Sequence, residues 1–283
     1  MQTFLSYAAQ SLNKQYRPEE IRQLSYSLLE DCCGFSKNDI YAGKDTKISA
    51  KQRQQLHEKL ARLAVGEPLQ YITEVAHFYD LKLSVNPAVL IPRPETEELA
   101  EWIIHDYAGE KGKILDVGTG SACISLALAK HLSGMQVEAW DISPAALALA
   151  RQNAADLKLD VKFTEQDLFG FNPGPGAQVY DIIVSNPPYV TTAEALKMEK
   201  RVLKHEPALA LFVPDNDPLI FYRALAGLAA SILKPGGSLY VEISIYYGSE
   251  TVQLFKEAGF EEVVLRQDIS GRDRMIKASN YHG

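Results

Sequence analysis

The strongest constraint on the fold is an alternation of short apolar strands and helices that begins at Lys113. The expected strands are rich in β-branched and other apolar residues, and they are KILDVG, QVEAWDI, VKFTEQDL, YDIIVSN and GSLYVEIS. Because helical segments lie between them, the pattern is typical of an α/β protein with a mostly parallel sheet covered on both faces. Two final runs, GFEEVVL and RDRMIKA, are expected to close the sheet. Ligands of such sheets bind outside the carboxyl ends of the strands.

The first part of the chain has a purely helical pattern. Apolar residues recur at three-to-four spacing over residues 4–16, 18–34 and 49–66, and no strand pattern interrupts them. We therefore predict a small helical domain over residues 1–71, a hairpin and linker over 72–95, and the α/β domain over 96–283. The pattern alone leaves two roles open for the helical domain, namely docking of a partner and simple stabilisation.

Composition narrows the class of protein. The 283 residues carry a formal net charge of −7, which lowers the expectation of a nucleic-acid partner, although a local basic patch can coexist with an acidic total. Cys32, Cys33 and Cys123 are odd in number and lack metal-ligand spacing, so a reduced, cytoplasmic protein without a metal is expected. No secretory signal and no long uncharged apolar run are visible, so no membrane contact is expected.

A glycine-rich loop, DVGTGSA, follows the first strand of the alternation and spans residues 116–122. Gly118 and Gly120 allow the backbone to approach a ligand closely between strand and helix. The dinucleotide fingerprint is incomplete, since Cys123 stands where its last Gly or Ala belongs. An acid at the start of the loop, Asp116, is the pattern of S-adenosylmethionine (SAM) binding in Rossmann-like methyltransferases. A plain tight turn is the alternative.

Acidic residues end the next two strands. Asp141 lies where a carboxylate can accept hydrogen bonds from both ribose hydroxyls of a nucleoside, although it also precedes a helix start at Ser143. Asp167 can accept the adenine amino group, and Leu168 can lie against the ring. The alternative for Asp167 is an ordinary loop acid. A suitable chemical group after each of several successive strands favours a nucleoside site more strongly than a single such group does.

The fourth strand ends in Asn186, Pro187, Pro188 and Tyr189. Proline cannot continue a central sheet ladder, and Pro187 restricts Asn186 to extended geometry, so the turn is stiff. A nitrogen conjugated to a π system is a poor nucleophile and must be held in line with its target. The Asn186 side-chain oxygen and the Pro187 carbonyl can accept both of its N–H hydrogens, while Tyr189 offers a flat face. This scheme requires no general base and no metal, and the alternative is a simple strand terminator.

Motifs along nearly the whole chain resemble those of the bacterial peptide chain release factor N5-glutamine methyltransferases, the HemK-type protein methyltransferase family. The motifs are GEPLQYI, LIPRPETEEL, LDVGTGSACISLALA, NPPYV, EPALAL, FYRAL, LKPGG and SGRDR, together with the helical N-terminal domain. NPPY alone is shared with adenine N6-methyltransferases. IPRPETEEL placed before the glycine-rich loop is much more specific to the glutamine enzymes.

The resemblance implies a class I SAM-dependent methyltransferase domain that leaves S-adenosylhomocysteine as product. The implied substrate is the glutamine of the GGQ motif in class I release factors, whose modification acts in translation termination. We expect the helical domain to dock that factor and the enzyme to be a monomer. The implied roles are SAM binding by Gly118, Thr119, Gly120, Ser121 and Ala122, ribose binding by Asp141, adenine contact by Leu168, contact with cofactor and substrate by Asn186, and glutamine binding by Asn186, Pro187, Pro188 and Tyr189.

The chain departs from the family pattern at three places. Ala122 replaces the third glycine of the loop, and Leu168 stands where the family often has a Trp or a similarly large residue. VEISIYYGSE replaces the more usual EIG…G form, and no role is assigned to it. Arg93 and Glu95 lie in the specific IPRPETEEL stretch, where they either shape the pocket for the glutamine or the release-factor loop, or form a structural turn with the adjacent prolines.

Three other functions compete with this interpretation. The first is a glutamine methyltransferase that acts on a ribosomal protein with the same catalytic motif. The second is an adenine N6-methyltransferase or a guanine amino methyltransferase that acts on nucleic acid, which would require a basic face and a pocket for a flipped base. The third is a binding module that keeps a SAM fold without catalysis, against which the intact Asn186–Tyr189 motif argues.

Overall fold

The chain forms two units in a computed structural model, which describes residues 2–35, 38–39, 48–172, 179–196 and 200–281. One unit comprises Met1–Val75 and Glu199–His205, and the other comprises Ala76–Met198 and Glu206–Gly283. The boundaries predicted at residues 71 and 95 stay predictions. No local sequence pattern links the late segment 199–205 to the N-terminal helices, so its place in the first unit was not expected.

Helices and strands follow the order expected from the sequence. The α-helices of the described residues are α1 (Gln2–Leu12), α2 (Pro18–Cys33), α3 (Ala50–Ala64), α4 (Leu69–Thr73), α5 (Pro94–Asp106), α6 (Cys123–His131), α7 (Pro144–Leu157), α8 (Thr192–Ala195), α9 (Lys200–His205), α10 (Ile220–Ile232) and α11 (Gly248–Glu257). The strands are β1 (Val75–Phe78), β2 (Leu81–Ser84), β3 (Gly112–Val117), β4 (Met135–Asp141), β5 (Val161–Glu165), β6 (Tyr180–Ser185), β7 (Leu233–Glu242), β8 (Phe260–Gln267) and β9 (Asp273–Tyr281). None of the described helices is long and apolar enough to cross a lipid bilayer.

The first unit is helical, as predicted. Helix α2 has Pro18 in its first turn and ends at Gly34, whose left-handed φ of 68° is favoured by glycine. Helix α3 begins at Ser49, whose hydroxyl accepts a hydrogen bond from the Gln52 backbone N–H at 3.2 Å. Leucines at helical spacing build the core of this unit, among them Leu12, Leu28, Leu56 and Leu60.

The second unit is built on a seven-stranded sheet with the order β5-β4-β3-β6-β7-β9-β8. The first five strands are parallel to one another, and β9 is antiparallel to both of its neighbours. The α/β prediction is therefore confirmed, including closure by the two final runs. Helices α5, α6 and α7 contribute to the apolar core on one face, and α10 and α11 to that on the other. Because both faces are covered, the middle parts of β3 and β6 are mainly apolar and buried.

The strand order reverses at β3, because β4 pairs on one side of it and β6 on the other. Val117, the last residue of β3, is paired with Trp140 of β4 and with Ser185 of β6. The residues that follow these three strands therefore meet at one edge of the sheet. Such a switch point is where open α/β sheets bind ligands.

Candidate active site

A cavity of about 500 Å³ opens at this switch point, within the range of small-molecule sites. The ends of β3, β4 and β6 line it, together with the stretch 88–93 and the first turn of α10. The predicted site residues that line the cavity are Arg93, Gly118, Thr119, Gly120, Ser121, Asp141, Asp167, Leu168, Asn186, Pro187 and Pro188. Within the described ranges, no group of three or more His, Cys, Asp or Glu side chains is arranged to hold a metal ion.

Four other predicted residues lie beside the cavity rather than on its wall: Glu95, Asp116, Ala122 and Tyr189. Ala122 is fully buried with a φ of 67° and precedes α6, so its methyl group packs in the core and does not narrow the cavity. Glu95 lies in the first turn of α5. Direct contact of these residues with a ligand stays a prediction.

The glycine-rich loop is held open toward the cavity. Gly118 and Gly120 have φ values of 75° and 55°, and a Cβ added at either position would meet no atom within 4 Å. The backbone N–H groups of Gly118 and Thr119 both donate to the carbonyl of Trp140, at 2.8 and 2.9 Å. The loop thus leaves space for a ligand beside a fixed backbone, which suits close approach of a nucleoside-containing cofactor.

Asp141 fixes the same loop. Its Oδ2 accepts from the Gly120 backbone N–H at 2.8 Å, and its Oδ1 accepts from the Ser143 N–H at 2.9 Å. A carboxylate has about four acceptor positions, so two hydrogen bonds leave capacity for the hydroxyls of a ligand. The two interpretations of Asp141 are therefore compatible, since it supports the start of α7 and also lines the cavity.

Asp116 is a buried acid with an unused acceptor. Its Oδ2 accepts from the Thr119 hydroxyl at 2.6 Å, whereas Oδ1 is buried without a hydrogen-bond partner. Burial raises the pKa of Asp116 to about 6, and the hydrogen bond from Thr119 opposes that rise. An ionised carboxylate at the base of the loop favours a cationic ligand, and the sulfonium and ammonium groups of SAM fit this requirement.

Asp116→Asn should change how the stability of the ligand-free protein depends on pH. The pKa of Asp116 is higher in the folded state than its ordinary value of 3.8, so the neutral form favours folding. That contribution is complete below pH 3.8 and is lost as the pH rises through about 6. Between about pH 4 and about pH 7 the wild type should lose up to roughly 3 kcal/mol of unfolding free energy relative to the variant. Urea unfolding of both proteins at each pH measures this, and a constant difference would contradict it.

One wall of the cavity, formed by Ile142, Leu168, Phe169 and Phe221, is apolar and suits a flat ring. Leu168 is partly buried against the core and also lines the cavity. The rings of Phe169 and Phe221 meet edge to face with centroids 5.1 Å apart, and both residues line the cavity together with Ile142. Asp167 accepts from the Phe169 backbone N–H at 2.9 Å. The sequence interpretation missed Phe169 and Phe221, although Phe221 lies in the FYRAL motif.

Asn186 lies opposite the glycine-rich loop, at the end of β6. Its Nδ2 donates to the Thr96 hydroxyl oxygen at 3.1 Å, so its amide oxygen is the atom left for the cavity. Pro187 and Pro188 line the cavity next to it. The hydroxyl of Tyr189 donates to Glu242 at 2.9 Å, and burial raises the pKa of Tyr189 well above its usual value. Tyr189 is not among the residues that line the cavity, and contact of its flat face with a substrate stays a prediction.

Arg93 is both a structural and a cavity-lining residue. Its guanidinium pairs with Glu206 at 2.5 Å, and the Glu206 side chain is 1% exposed. The second oxygen of Glu206 accepts from the Ile91 backbone N–H at 3.2 Å. This pair joins the IPRPETEEL stretch to the EPALAL motif along one wall of the cavity.

Profiles of two known families match separate parts of the chain. The family described as PrmC N-terminal domain matches residues 3–73. The family described as methyltransferase small domain matches residues 96–209, which include the glycine-rich loop and the NPPY turn.

Two solved structures share the fold at low sequence identity. A T. thermophilus 16S rRNA methyltransferase, solved in complex with AdoMet and guanosine, is 18% identical with a TM-score of 0.52, and the match covers 73% of this chain and 49% of that one. A methyltransferase from Pyrococcus furiosus is 16% identical with a TM-score of 0.52, and 80% and 99% of the two chains are covered. At these identities the likeness establishes the fold alone.

Curated relatives match over almost their full length. A release factor glutamine methyltransferase of Bacteroides thetaiotaomicron is 45% identical over 99% of this chain and 100% of its own. One from Flavobacterium psychrophilum is 42% identical, with 95% of each chain covered. Identity of this degree over whole chains, with the cavity motifs in place, shows the family. The chain belongs to the release factor glutamine methyltransferases.

Proposed function

We propose that the protein transfers a methyl group from SAM to the side-chain amide nitrogen N5 of the glutamine in the GGQ motif of class I release factors. The observation that carries this proposal is the position of Asn186 and Pro187 on one cavity with the glycine-rich loop and Asp141. Full-length relatives named release factor glutamine methyltransferase support the choice of substrate.

The cavity offers suitable groups for each part of the SAM molecule. Gly118 and Gly120 leave room beside the backbone, Asp141 has free acceptor positions for ribose hydroxyls, and the apolar wall suits adenine. Asp116 supplies negative charge for a cationic ligand. When bound, SAM supplies a methyl group activated by a sulfonium leaving group.

The substrate amide is held by two acceptors. An amide nitrogen is a weak nucleophile, so catalysis depends on holding it in line with the methyl group. The Asn186 amide oxygen and the Pro187 carbonyl accept the two N–H hydrogens, and the stiff Asn186–Pro187–Pro188 turn fixes their directions. Positioning and electrostatics supply the rate enhancement, and the scheme uses no general base and no metal.

The helical unit is proposed to dock the release factor, because one glutamine loop offers too small an area for specific binding. Residues 3–73, which match the PrmC N-terminal domain, are the part of the chain to which this role is assigned. We further propose that the enzyme acts as a monomer in the cytoplasm without direct contact to nucleic acid. The odd number of cysteines supports the cytoplasmic location, and the net charge of −7 supports the absence of contact with nucleic acid.

Labelled methyl transfer tests the proposed substrate directly. SAM with a labelled methyl group is offered with an intact class I release factor, with the same factor carrying Ala in place of the GGQ glutamine, with ribosomal proteins, and with single-stranded DNA. Among these four, label should enter the intact factor alone. A short GGQ peptide, offered separately, should accept label far more slowly than the intact factor. Label in a ribosomal protein or in adenine, with none in the release factor, would establish one of the rival functions.

Asp141→Ala should weaken SAM binding by tenfold or more. Hydrogen bonds to a charged group are worth about 1.5–3 kcal/mol each, and the variant also releases the Gly120 N–H that Asp141 holds. Asp141→Asn keeps the shape and one acceptor, so its loss should be smaller. Calorimetric titration of both variants with SAM measures the effect, and an unchanged affinity for Asp141→Ala would remove this residue from the site.

A further inference from the structure

The structure points to Thr96 and Glu242 as positioning residues that determine which end of the Asn186 amide faces the substrate, an inference that rests on the proposed function. Asn186 Nδ2 donates to Thr96 Oγ1 at 3.1 Å, and the Thr96 hydroxyl donates to Glu242 Oε2 at 2.5 Å. The other oxygen of Glu242 accepts from the Tyr189 hydroxyl at 2.9 Å. This hydrogen-bond chain links the ends of β6 and β7 to the first turn of α5.

The number of protons in this hydrogen-bond chain fixes which group donates and which accepts in each hydrogen bond. When Glu242 is ionised it only accepts hydrogen bonds, so both hydroxyls that contact it, those of Thr96 and Tyr189, donate to it. The single proton of the Thr96 hydroxyl is then used, and its oxygen can only accept from Asn186. The group of Asn186 that faces Thr96 must therefore be the NH₂, and the amide oxygen is left toward the cavity.

Burial makes this chain rigid. Thr96 is 2% exposed and Glu242 is 1% exposed, so neither exchanges its partners readily with water. Burial raises the pKa of Glu242, whereas the hydrogen bonds from Thr96 and Tyr189 and the charge of Arg274 act in the opposite direction. A buried carboxylate needs such partners to stay ionised.

The SGRDR motif supplies the compensating charge. Arg274 lies near Glu242 and Tyr189, and its side chain is 11% exposed. Asp268 holds it at 3.4 Å and is itself bound by the backbone N–H groups of Ser270 and Arg272. The motif thus keeps a cation beside the Glu242 carboxylate.

Loss of this hydrogen-bond chain should replace the Asn186 amide oxygen, an acceptor, by the amide NH₂, a donor, at the position that faces the substrate. Without the Thr96 hydroxyl, the Asn186 amide is free to rotate by half a turn and present its NH₂ to the substrate. Two N–H groups would then face each other, and the substrate nitrogen would lose one of the two acceptors that orient it. Thr96 lines the cavity, but its hydroxyl is engaged with Glu242 and Asn186, so loss of the hydroxyl should lower the rate of transfer more than SAM binding.

Thr96→Val, which keeps the side-chain shape and removes the hydroxyl, is the test variant, and Thr96→Ser is its matched control. In single-turnover transfer to intact release factor at saturating SAM, Thr96→Val should lower the rate about tenfold or more. Its SAM Kd and its KM for the factor should stay within about twofold of wild type. Thr96→Ser should recover most of the lost rate. A wild-type rate for Thr96→Val would overturn the inference.

A double-mutant cycle separates positioning from a merely structural role. Asn186→Asp has two acceptor oxygens and therefore no amide orientation to set, so adding Thr96→Val to it should cause little further loss. An equal loss in both backgrounds would overturn the inference. No transfer by the wild-type enzyme would overturn the proposed function and this inference with it.

Glu242→Gln gives a second and independent test that keeps the shape of the buried chain. An amide at this position can donate to the Thr96 oxygen and so reverse the direction of the hydrogen bonds. The transfer rate should fall about tenfold or more, with SAM binding retained. If Thr96→Val does not fold, this variant decides, and a wild-type rate for Glu242→Gln overturns the inference.

Discussion

Asn186→Ala should lower the single-turnover rate of methyl transfer about 100-fold or more, comparable to removal of one preorganised polar group from other active sites. The variant deletes one of the two acceptors that orient the substrate amide, whose nitrogen has little intrinsic nucleophilicity. The rate is measured at saturating SAM and release factor, with folding checked by thermal unfolding. Transfer at the wild-type rate would mean that β6 simply ends at this position.

Asn186→Asp is the informative companion variant. It keeps the shape and an acceptor but places a negative charge near the sulfonium of SAM. The charge should preserve SAM binding, yet part of its attraction stabilises the bound ground state rather than the transition state. We therefore expect a loss of rate that is smaller than or similar to that of Asn186→Ala. Loss of SAM binding in this variant would contradict the position assigned to Asn186.

The sheet was predictable because its strands carry a local signal. Apolar runs such as those of β3 and β6 are buried on both faces, and this requires continuous hydrophobic sequence. Because ligands bind at the carboxyl ends of the strands, the strand pattern alone places Gly118, Asp141 and Asn186 at one edge of the sheet. What the alternation did not specify is the antiparallel direction of β9, which depends on the hairpin with β8.

The supporting residues of the site were not predictable in the same way. Thr96 and Glu242 are 146 residues apart, and their contact depends on the packing of α5 against the end of β7. One signal was available, since Glu242 is an acid within the apolar run GSLYVEIS and a buried charge requires partners. The hydrogen bond from the Tyr189 hydroxyl to Glu242 was likewise not predictable, because it too joins residues far apart in the sequence.

Gly120→Val should reduce SAM affinity about 100-fold or more. At a φ of 55° a β-branched residue is strained, and its methyl groups would enter space that no protein atom occupies within 4 Å of the Cβ. The strain also threatens the hydrogen bond from the Gly120 N–H to Asp141. Binding is measured by calorimetric titration with SAM, and stability by urea unfolding.

Gly109→Val is the control that separates the effect of backbone strain from the effect of filling the cavity. Gly109 has a φ of 84°, and a Cβ added there likewise meets no atom within 4 Å, but the residue does not line the cavity. Both variants should lose comparable unfolding free energy, because both force a β-branched residue into the left-handed region. Only Gly120→Val should lose SAM affinity, since only there does the open space belong to the ligand. Equal loss of affinity in the two variants would assign the effect to stability, and the glycine-rich loop would then be a tight turn with no part in the site.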